Sequence, residues 1–326
     1  MSAPILEIIN VNKHYPIRKG FFNHQVGLKK VVNHINFKIE DGETVALVGE
    51  SGCGKSVLLR TIIGLERPTD GRIIFKEKNI YEMEKSEKKE FRRKVQLIFQ
   101  NAFIALHPRF TIEQSMEEVL ILTGMKDRKK RKMIIINTLK KVGLDPMYRL
   151  RYPEQLSGGQ CQRVIIARAL VEQPDLILAD EPISSLDVSL QAQVLNLLMD
   201  LQEEFKMSML FVAHDLAVVR QIASKIMIMY AGTILESGPS SEIYNNPQHP
   251  YTKVLLKSAP SISKGINEEG FNLDIKVGDI PSPDSLPEGC LFNTRCMYSV
   301  KRCFHEIPMV TKVTPDHFVS CHLVEQ

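Results

Sequence analysis

A run of residues at 49–56 combines glycines with a lysine and a serine in an order suited to holding phosphate groups. The glycines let the backbone turn tightly and direct its N–H groups at phosphate oxygens, and a following helix adds positive partial charge. Lys55 would contact the β and γ phosphates of a nucleotide, and the Ser56 hydroxyl would bind Mg²⁺. A glycine-rich turn with a solvated lysine is the alternative. The pattern GxxxxGK[ST] predicts a phosphate-binding loop made of Gly49, Glu50, Ser51, Gly52, Cys53, Gly54, Lys55 and Ser56.

Two adjacent carboxylates, Asp180 and Glu181, follow the apolar run 176–179. Burial and mutual repulsion would raise the pKa of both groups unless a cation compensates, and a nucleotide-bound Mg²⁺ would do so. We therefore predict that Asp180 holds Mg²⁺ and that Glu181 orients or deprotonates an attacking water. The alternative is an ordinary surface turn after a strand.

The elements that would position these residues alternate between strand and helix. Apolar runs at 5–11, 31–39, 43–49 and 71–75 predict strands, and 54–65 has helical spacing. A buried strand, a glycine-rich turn and a helix in this order indicate an α/β nucleotide-binding core. After an interruption, strands are predicted at 176–180, 208–213, 226–230 and 233–237, and helices at 188–205 and near 216–224.

The interruption at about 101–170 has helical patterns at 112–122, 127–142 and 159–171 and no clear strand, which predicts an inserted helical subdomain. We predict a nucleotide-binding domain over 1–246, a linker rich in Pro, Ser, Asn and Gly over 247–289, and a small cysteine-rich module over 290–326. The polar segment 16–30 is predicted to be a long loop.

The composition excludes several classes of protein. With 42 Lys and Arg against 38 Asp and Glu, the formal charge of +4 gives no electrostatic case for nucleic acid as a partner. The basic run at 126–132 is interpreted as a solvated helix face, with acidic lipid headgroups as the alternative. No apolar stretch reaches the roughly 18 residues of a membrane span, and the N-terminus lacks the apolar region of a signal peptide. We therefore expect a cytoplasmic protein.

The run Leu-Ser-Gly-Gly-Gln at 156–160 stands between the phosphate-binding loop and the acidic pair, at a predicted helix N-terminus. It resembles the LSGGQ signature of ATP-binding cassette proteins, whose fold is a P-loop nucleoside triphosphatase core. Physically it is a second anion-binding site, and one nucleotide needs only one phosphate-binding loop. The resemblance implies that two cassettes pack head to tail. Each ATP would lie between one chain's residues 49–56 and the other chain's Ser157, Gly158, Gly159 and Gln160.

Further residues stand in the order of this family. The resemblance implies that Tyr15 stacks on adenine and that His214, at the end of a predicted strand, contacts the γ phosphate. It also implies that Gln100 senses Mg²⁺ and couples to a membrane partner, that Asp187 communicates between the two nucleotide sites, and that Glu181 is the general base. The cofactors expected are therefore ATP and Mg²⁺.

Longer strings narrow the family. The runs LSGGQCQRVIIARAL, DEPISSLDVSLQAQVLNLLMDLQEEF and EIYNNPQHPYTKVLL resemble the F-type ATP-binding subunit of oligopeptide and dipeptide permeases. The residues at 101–102 and 105–109 depart from that family and put the detail of coupling in doubt. The resemblance implies an ATPase that powers peptide uptake from the cytoplasmic face of the membrane. Its partners would be a second, related ATPase, two transmembrane permease subunits and an extracytoplasmic substrate-binding protein.

Other functions remain open. The same role for nickel or a metallophore is the nearest alternative. A soluble cassette in translation or DNA repair is another, although such proteins usually carry paired cassettes or a long coiled coil. A third is a metal-binding regulatory protein whose ATPase is incidental.

Four cysteines, Cys290, Cys296, Cys303 and Cys321, cluster near the C-terminus with the spacing C-x5-C-x6-C-x17-C. Thiolates favour zinc or an iron–sulfur cluster, and a metal can hold a short module together. The string EGCLFNTRCMYSVKRC resembles a C-terminal motif of this transporter group, which in some members carries a [4Fe-4S] cluster. Iron–sulfur is therefore the prediction, with zinc and unligated thiols as alternatives. Three nearby histidines, His305, His317 and His322, are alternative ligands.

Overall fold

The computed structural model describes residues 3–19, 24–258 and 280–324. The strands are β1 (Leu6–Lys19), β2 (His24–Ile39), β3 (Thr44–Val48), β4 (Asp70–Phe75), β5 (Lys78–Asn79), β6 (Val95–Ile98), β7 (Leu176–Asp180), β8 (Ser208–Ala213), β9 (Lys225–Tyr230), β10 (Thr233–Pro239), β11 (Val310–Thr314) and β12 (His317–Ser320). The α-helices are α1 (Lys55–Ile62), α2 (Lys85–Lys94), α3 (Ala102–Ala105), α4 (Ile112–Leu122), α5 (Arg128–Lys141), α6 (Gly158–Leu170), α7 (Val188–Phe205), α8 (Leu216–Val219), α9 (Ser240–Asn245) and α10 (Pro250–Lys257). Short 3₁₀ helices span Pro146–Leu150, Pro153–Gln155 and Lys301–Phe304.

The described residues form two compact units. The first takes its described residues from 3–5, Ile39–Glu43 and Phe75–Val212, and the second from 6–19, 24–38, Thr44–Ile74, 213–258 and 280–324. None of the described helices is both long and apolar enough to cross a bilayer.

Three parallel strands organise the first unit. β7 pairs with β6 on one side and with β8 on the other, and the apolar residues of β7 and β8 are buried. Strands covered on both faces are expected to be nearly continuous apolar runs, as these are. Because parallel strands end at the same edge of a sheet, the residues that follow β6 and β7 are brought together there.

The second unit contains the phosphate-binding loop and the C-terminal strands. β3 pairs in parallel with β9, and β10 pairs antiparallel with both β9 and β12. β11 completes this part of the sheet by pairing with β12. In another sheet of the same unit, β1 lies between β2 and β4. The fully buried β3, apolar from Val45 to Val48, leads directly into residue 49.

Several sequence predictions need correction. The predicted loop at 16–30 is wrong for 16–19 and 24–30, which belong to β1 and β2, and 20–23 lie outside the described residues. Helix α2 was not predicted, and α8 ends at Val219, before the predicted end near 224. Helix α10 lies inside the predicted linker 247–289, and Tyr251 on this helix is fully buried. Residues 259–279 of that linker lie outside the described residues.

A buried carboxylate, Glu236 on β10, connects β12 to β10 within the second unit. Its Oε1 lies 2.7 Å from Nε2 of His317 on β12 and accepts the N–H of Gln248, and its Oε2 accepts the N–H of His249. Burial raises the pKa of Glu236, but these hydrogen bonds outweigh burial and hold it below its usual value. Burial also lowers the pKa of His249 to about 4, so its neutral Nδ1 accepts the N–H of Tyr251 and caps α10.

Substituting Glu236→Gln should lower the free energy of unfolding at pH 7 by about 2 kcal/mol, because hydrogen bonds to a buried charge are lost. The lowered pKa means that ionised Glu236 stabilises the fold above pH 4.5, and that this contribution disappears as the pH falls through the native pKa. The difference in free energy of unfolding between wild type and Glu236→Gln should therefore be smaller below pH 4.5 than at pH 7. Urea unfolding of both proteins at pH 7 and below pH 4.5 measures this difference.

The matched control is Glu242→Gln. The Glu242 carboxylate lies 3.7 Å from Nδ1 of His317, but its side chain is 36% exposed, so a change of less than about 0.5 kcal/mol is expected. An equal fall in the free energy of unfolding in Glu236→Gln and Glu242→Gln would contradict the stabilising role that we assign to the buried Glu236 carboxylate.

Candidate functional site

The phosphate-binding loop folds around the amine of Lys55. The Lys55 residue is 5% exposed, and its Nζ donates to the carbonyl oxygens of Gly49 at 2.6 Å and Glu50 at 3.0 Å. A Cβ on Gly49 would come within 2.2 Å of the Met229 carbonyl oxygen, so this position requires glycine. Gly54 has φ +107° and would also clash, which explains a second glycine just before α1. The loop thus brings a buried cation to the N-terminus of α1.

Other residues of the loop differ in their exposure. Ser51 and Gly52 are exposed, and Ser56 is half-buried in the first turn of α1. Cys53 is buried, and burial raises the pKa of its thiol despite the nearby Lys55. Its carbonyl accepts the N–H of Gly232 at 2.9 Å, which anchors the loop to the turn after β9.

Tyr15 on β1 lies in the same unit. Its hydroxyl donates to Glu66, and the ammonium of Lys13 lies 4.9 Å from the ring centroid. Burial and the Glu66 carboxylate raise the pKa of Tyr15 to about 12. The ring is half-buried, and its stacking on adenine stays a prediction.

In the first unit the structure brings Gln100 and Glu181 into contact at the ends of β6 and β7. The Gln100 amide donates to Oε2 of Glu181 at 2.9 Å and lies 3.5 Å from the hydroxyl of Ser184. Glu181 has φ +45°, an uncommon conformation for a residue with a side chain, and its N–H donates to the Val212 carbonyl. Strain of this kind is frequent where a side chain is held for function. Asp180 occupies the last position of β7 and is half-buried.

The Leu-Ser-Gly-Gly-Gln run starts α6. Ser157 caps this helix: its hydroxyl accepts the N–H of Gln160, and its own N–H donates to Oε1 of Gln160. Ser157 is exposed, so the positive end of the α6 dipole reaches the surface of the unit. Gly159 is buried, and a Cβ there would press on Leu190 at 3.2 Å. Gly158 faces Leu186 with a Cβ distance of 3.8 Å.

Asp187 and His214 occupy the loops after β7 and β8. Asp187 caps α7 by accepting from the N–H of Leu190 at 2.9 Å and from the Ser189 hydroxyl at 2.7 Å. These hydrogen bonds lower the pKa of Asp187. His214 is exposed directly after β8.

The four C-terminal cysteines are each 7% exposed. Cys290 donates its N–H to the Cys303 carbonyl at 2.8 Å, and none of the chain's six cysteines, all within the described residues, forms a disulfide. Burial raises the pKa of Cys290 to about 12, with a smaller contribution from the other three thiols, and raises that of Cys321 to about 11. Across 3–19, 24–258 and 280–324, no three His, Cys, Asp or Glu side chains are arranged to hold a metal ion.

The sequence analysis missed Arg295 and Tyr251, both of which contact Glu50 of the phosphate-binding loop. Neither residue stands in a motif that marks nucleotide binding, and both lie more than 200 positions away along the chain. Only the position of Arg295 directly before Cys296 marked it as part of a chemically unusual segment.

Comparison with known proteins gives two family matches. A family described as ABC transporter matches residues 32–184, which include the phosphate-binding loop, the signature run and the acidic pair. A second family, the oligopeptide/dipeptide transporter C-terminal region, matches residues 235–303.

Relatives match along nearly the whole chain. The oligopeptide transport ATP-binding protein AppF of Bacillus subtilis is 44% identical over 98% of this chain and 97% of its own. The dipeptide transport ATP-binding protein DppF of Escherichia coli is 40% identical over 100% of this chain and 96% of its own. Among solved structures, the ATP-binding cassette MJ0796, dimeric and bound to ADP and Pi, is 31% identical. Its TM-score is 0.64, with 72% of this chain and 98% of that chain covered.

Proposed function

The chain belongs to the ABC transporter family, and from this premise we propose that it is the ATP-hydrolysing subunit of an importer of di- and oligopeptides. The observation that carries the proposal is the similarity over nearly the full length to ATP-binding proteins of peptide transport, at 40–44% identity. The match to the oligopeptide/dipeptide transporter C-terminal region supports the same cargo class. An ABC ATPase fold with α/β sheets, shared with solved cassettes, supports the ATPase activity.

Residues of the second unit would bind the nucleotide. The narrow loop around the buried Lys55 amine suits a polyphosphate, because Lys55 and the N-terminus of α1 both present positive charge. Ser56 would ligate Mg²⁺, while Tyr15 and His214 would contact adenine and the γ phosphate. When bound, Mg²⁺ neutralises charge that develops on the transferring phosphoryl group.

Residues of the first unit would carry the hydrolysis. We assign Glu181 as the base that orients or deprotonates the attacking water, Asp180 and Gln100 as ligands of Mg²⁺, and Asp187 as the link between two nucleotide sites. The hydrogen bond from Gln100 supports this assignment, since it fixes the direction of the Glu181 carboxylate. A base held in one orientation needs little rearrangement to accept a proton.

A complete transporter needs partners. We propose that the signature run, Ser157, Gly158, Gly159 and Gln160, of which Ser157 is exposed, meets the nucleotide of a second, related ATPase, forming a heterodimer. The assembly would include two transmembrane permease subunits and an extracytoplasmic substrate-binding protein. This chain would then lie peripherally on the cytoplasmic face of the membrane. Within the chain, we propose the nucleotide-binding domain at 1–246, with helices at about 101–170 as its inserted subdomain, a linker at 247–289 that includes α10, and the cysteine-rich module at 290–326.

Capture of the tagged chain from detergent-solubilised membranes tests this function. Recovery of two multi-spanning proteins and a second ATPase is expected. Recovery of ribosomes or DNA would instead favour a soluble cassette. Transport assays with radiolabelled dipeptide and with ⁶³Ni²⁺ in the reconstituted assembly separate peptide import from nickel import.

We also propose that Cys290, Cys296, Cys303 and Cys321 hold a [4Fe-4S] cluster. Their number, their burial in one segment and the influence of three of them on the pKa of Cys290 support this. Binding would require the thiol side chains to turn toward one another from the arrangement described above. It would also release protons, because the pKa of Cys290 is raised to about 12.

Anaerobic purification followed by iron and sulfide analysis should find about four irons per chain. Cys303→Ser should lower the iron content, whereas Cys161→Ser, which changes a buried cysteine in α6, should not. One zinc per chain, or no metal in the anaerobic protein, would reject the iron–sulfur proposal.

A further inference from the structure

Glu50, the second residue of the phosphate-binding loop, is held by two residues from the C-terminal part of the chain. Nη1 of Arg295 donates to both carboxylate oxygens of Glu50, at 3.1 Å and 3.0 Å. The N–H of Glu50 donates to the hydroxyl of Tyr251 at 3.1 Å. The Glu50 side chain and backbone are therefore both fixed by residues outside the loop.

The arginine is itself held by aromatic rings. Its guanidinium carbon lies 5.7 Å from the ring centroid of Tyr230 and 5.8 Å from that of Phe292. Tyr230, Tyr251 and Phe292 pack against one another with centroid distances of 4.8–5.4 Å, and all three are fully buried. This aromatic cluster restricts the rotamers of Arg295 and excludes water from one side of the ion pair. The side chain of Arg295 is 11% exposed.

The ion pair is connected to the Lys55 amine through the backbone of Glu50. The carbonyl of Glu50, whose carboxylate binds Arg295, accepts a hydrogen bond from Lys55. A movement of Glu50 would therefore displace a partner of the cation that we assign to the phosphates. Neighbouring N–H groups of the loop would move with it, since peptide planes of a tight turn are coupled.

Attachment of the C-terminal segment to the sheet does not account for these contacts. That attachment has its own anchors, the pairing of β12 with β10 and the contact of His317 with Glu236. Arg295 instead points at the one acidic side chain of the phosphate-binding loop.

We propose that Arg295 and Tyr251 are positioning residues for nucleotide binding, which act by fixing Glu50 and, through its carbonyl, Lys55. The proposal rests on the assignment of residues 49–56 as the ATP phosphate site. It gives two residues from the C-terminal part of the chain an influence on nucleotide affinity through residues 49–56.

Arg295→Ala should raise the Kd of the full-length chain for the fluorescent analogue mant-ATP, with Mg²⁺, by about tenfold, because a charge-assisted hydrogen-bond pair is lost. Tyr251→Phe, which keeps the ring, should raise it about threefold through loss of one acceptor. Arg295→Lys should fall between wild type and Arg295→Ala, since a lysine keeps the charge without the planar geometry. Fluorescence titration measures all three.

The matched control is Arg302→Ala. Arg302 lies in the same segment and pairs with Glu306 at 2.6 Å, so its loss removes an arginine–carboxylate pair without touching the loop. Its Kd should stay within about twofold of wild type. An equal loss of affinity in Arg302→Ala and Arg295→Ala would overturn the proposal, because the effect would then be one of general stability.

Two further readouts separate positioning from a structural role. Arg295→Ala and Glu50→Gln together should weaken binding no more than the stronger single variant, since both break one contact. In the assembled transporter, Arg295→Ala should raise KM for ATP and leave kcat within about twofold, whereas unfolding would lower kcat through loss of active protein. Additive losses, or a fall in kcat at unchanged KM, would overturn the proposal. Failure of the wild-type chain to bind mant-ATP would instead reject the function proposed for residues 49–56.

Discussion

Glu181→Gln should lower ATP turnover by the assembled transporter by about a hundredfold to ten thousandfold, because the amide cannot accept the proton of an attacking water. Nucleotide binding should be retained, since the phosphate contacts come from residues 49–56. The amide has nearly the same shape as the carboxylate, so it can keep its oxygen toward the Gln100 amide. Steady-state phosphate release by the complex and mant-ATP binding by the full-length chain measure the two quantities separately.

The control is Glu203→Gln, which removes an exposed carboxylate from α7. It should leave turnover within about twofold of wild type, as expected of a surface position. Gln100→Ala should cause a smaller loss than Glu181→Gln, because it removes the group that orients the base and leaves the base itself. Unchanged turnover in Glu181→Gln would remove this residue from the catalytic assignment, and Asp180 would be the next base to test.

The local features of this site could be predicted from the sequence because they depend on neighbours along the chain. Glycines at the tight positions of residues 49–56 and carboxylates at the end of a buried strand are local patterns. The contact between Gln100 and Glu181 was not predicted, because it also depends on the parallel pairing of β6 with β7, which the structure shows. Residues that follow two such strands therefore meet.

Contacts that depend on distant chain segments could not be predicted. The ion pair of Arg295 with Glu50 joins residues 245 positions apart, and no periodicity records it. The strands over 16–19 and 24–30 were missed because the polar side chains and the glycine there are typical of loops, although these residues belong to β1 and β2, which are neighbours in one sheet. Helix α10 was missed for a similar reason: it begins at Pro250 in a Pro- and Asn-rich stretch, and burial of Tyr251 stabilises it.

The cysteine spacing illustrates another limit. It groups Cys290, Cys296, Cys303 and Cys321, and all four are buried. Spacing does not contain the direction of a side chain, however. In the described part of the chain no three possible ligands converge for a metal ion. Composition therefore indicates a ligand set but not the rotamers that would complete it.

Ser157→Asp should lower ATP turnover by the assembled transporter by at least about a hundredfold. Asp is as good a helix cap as Ser, so α6 should keep its N-terminus. At a separation of about 6 Å, a carboxylate repels a phosphate by about 3 kcal/mol at an effective dielectric constant of about 20, which corresponds to a rate loss of that size. The chain's own nucleotide binding should stay within about twofold of wild type, because residues 49–56 are unchanged. Phosphate release and mant-ATP titration measure the two effects.

Thr111→Asp is the matched control for helix capping. Thr111 caps α4 with the same reciprocal arrangement that Ser157 forms at α6, its partner being Gln114, so the substitution repeats the change at a helix without a proposed phosphate contact. It should leave turnover within about twofold of wild type, and Ser157→Thr should do the same. If Ser157→Asp weakened mant-ATP binding by the isolated chain as much as it slowed ATP turnover, the signature run would contact the nucleotide bound to this same chain. The requirement for a second ATPase would then fail, because one chain would supply both phosphate-binding sites to a single ATP.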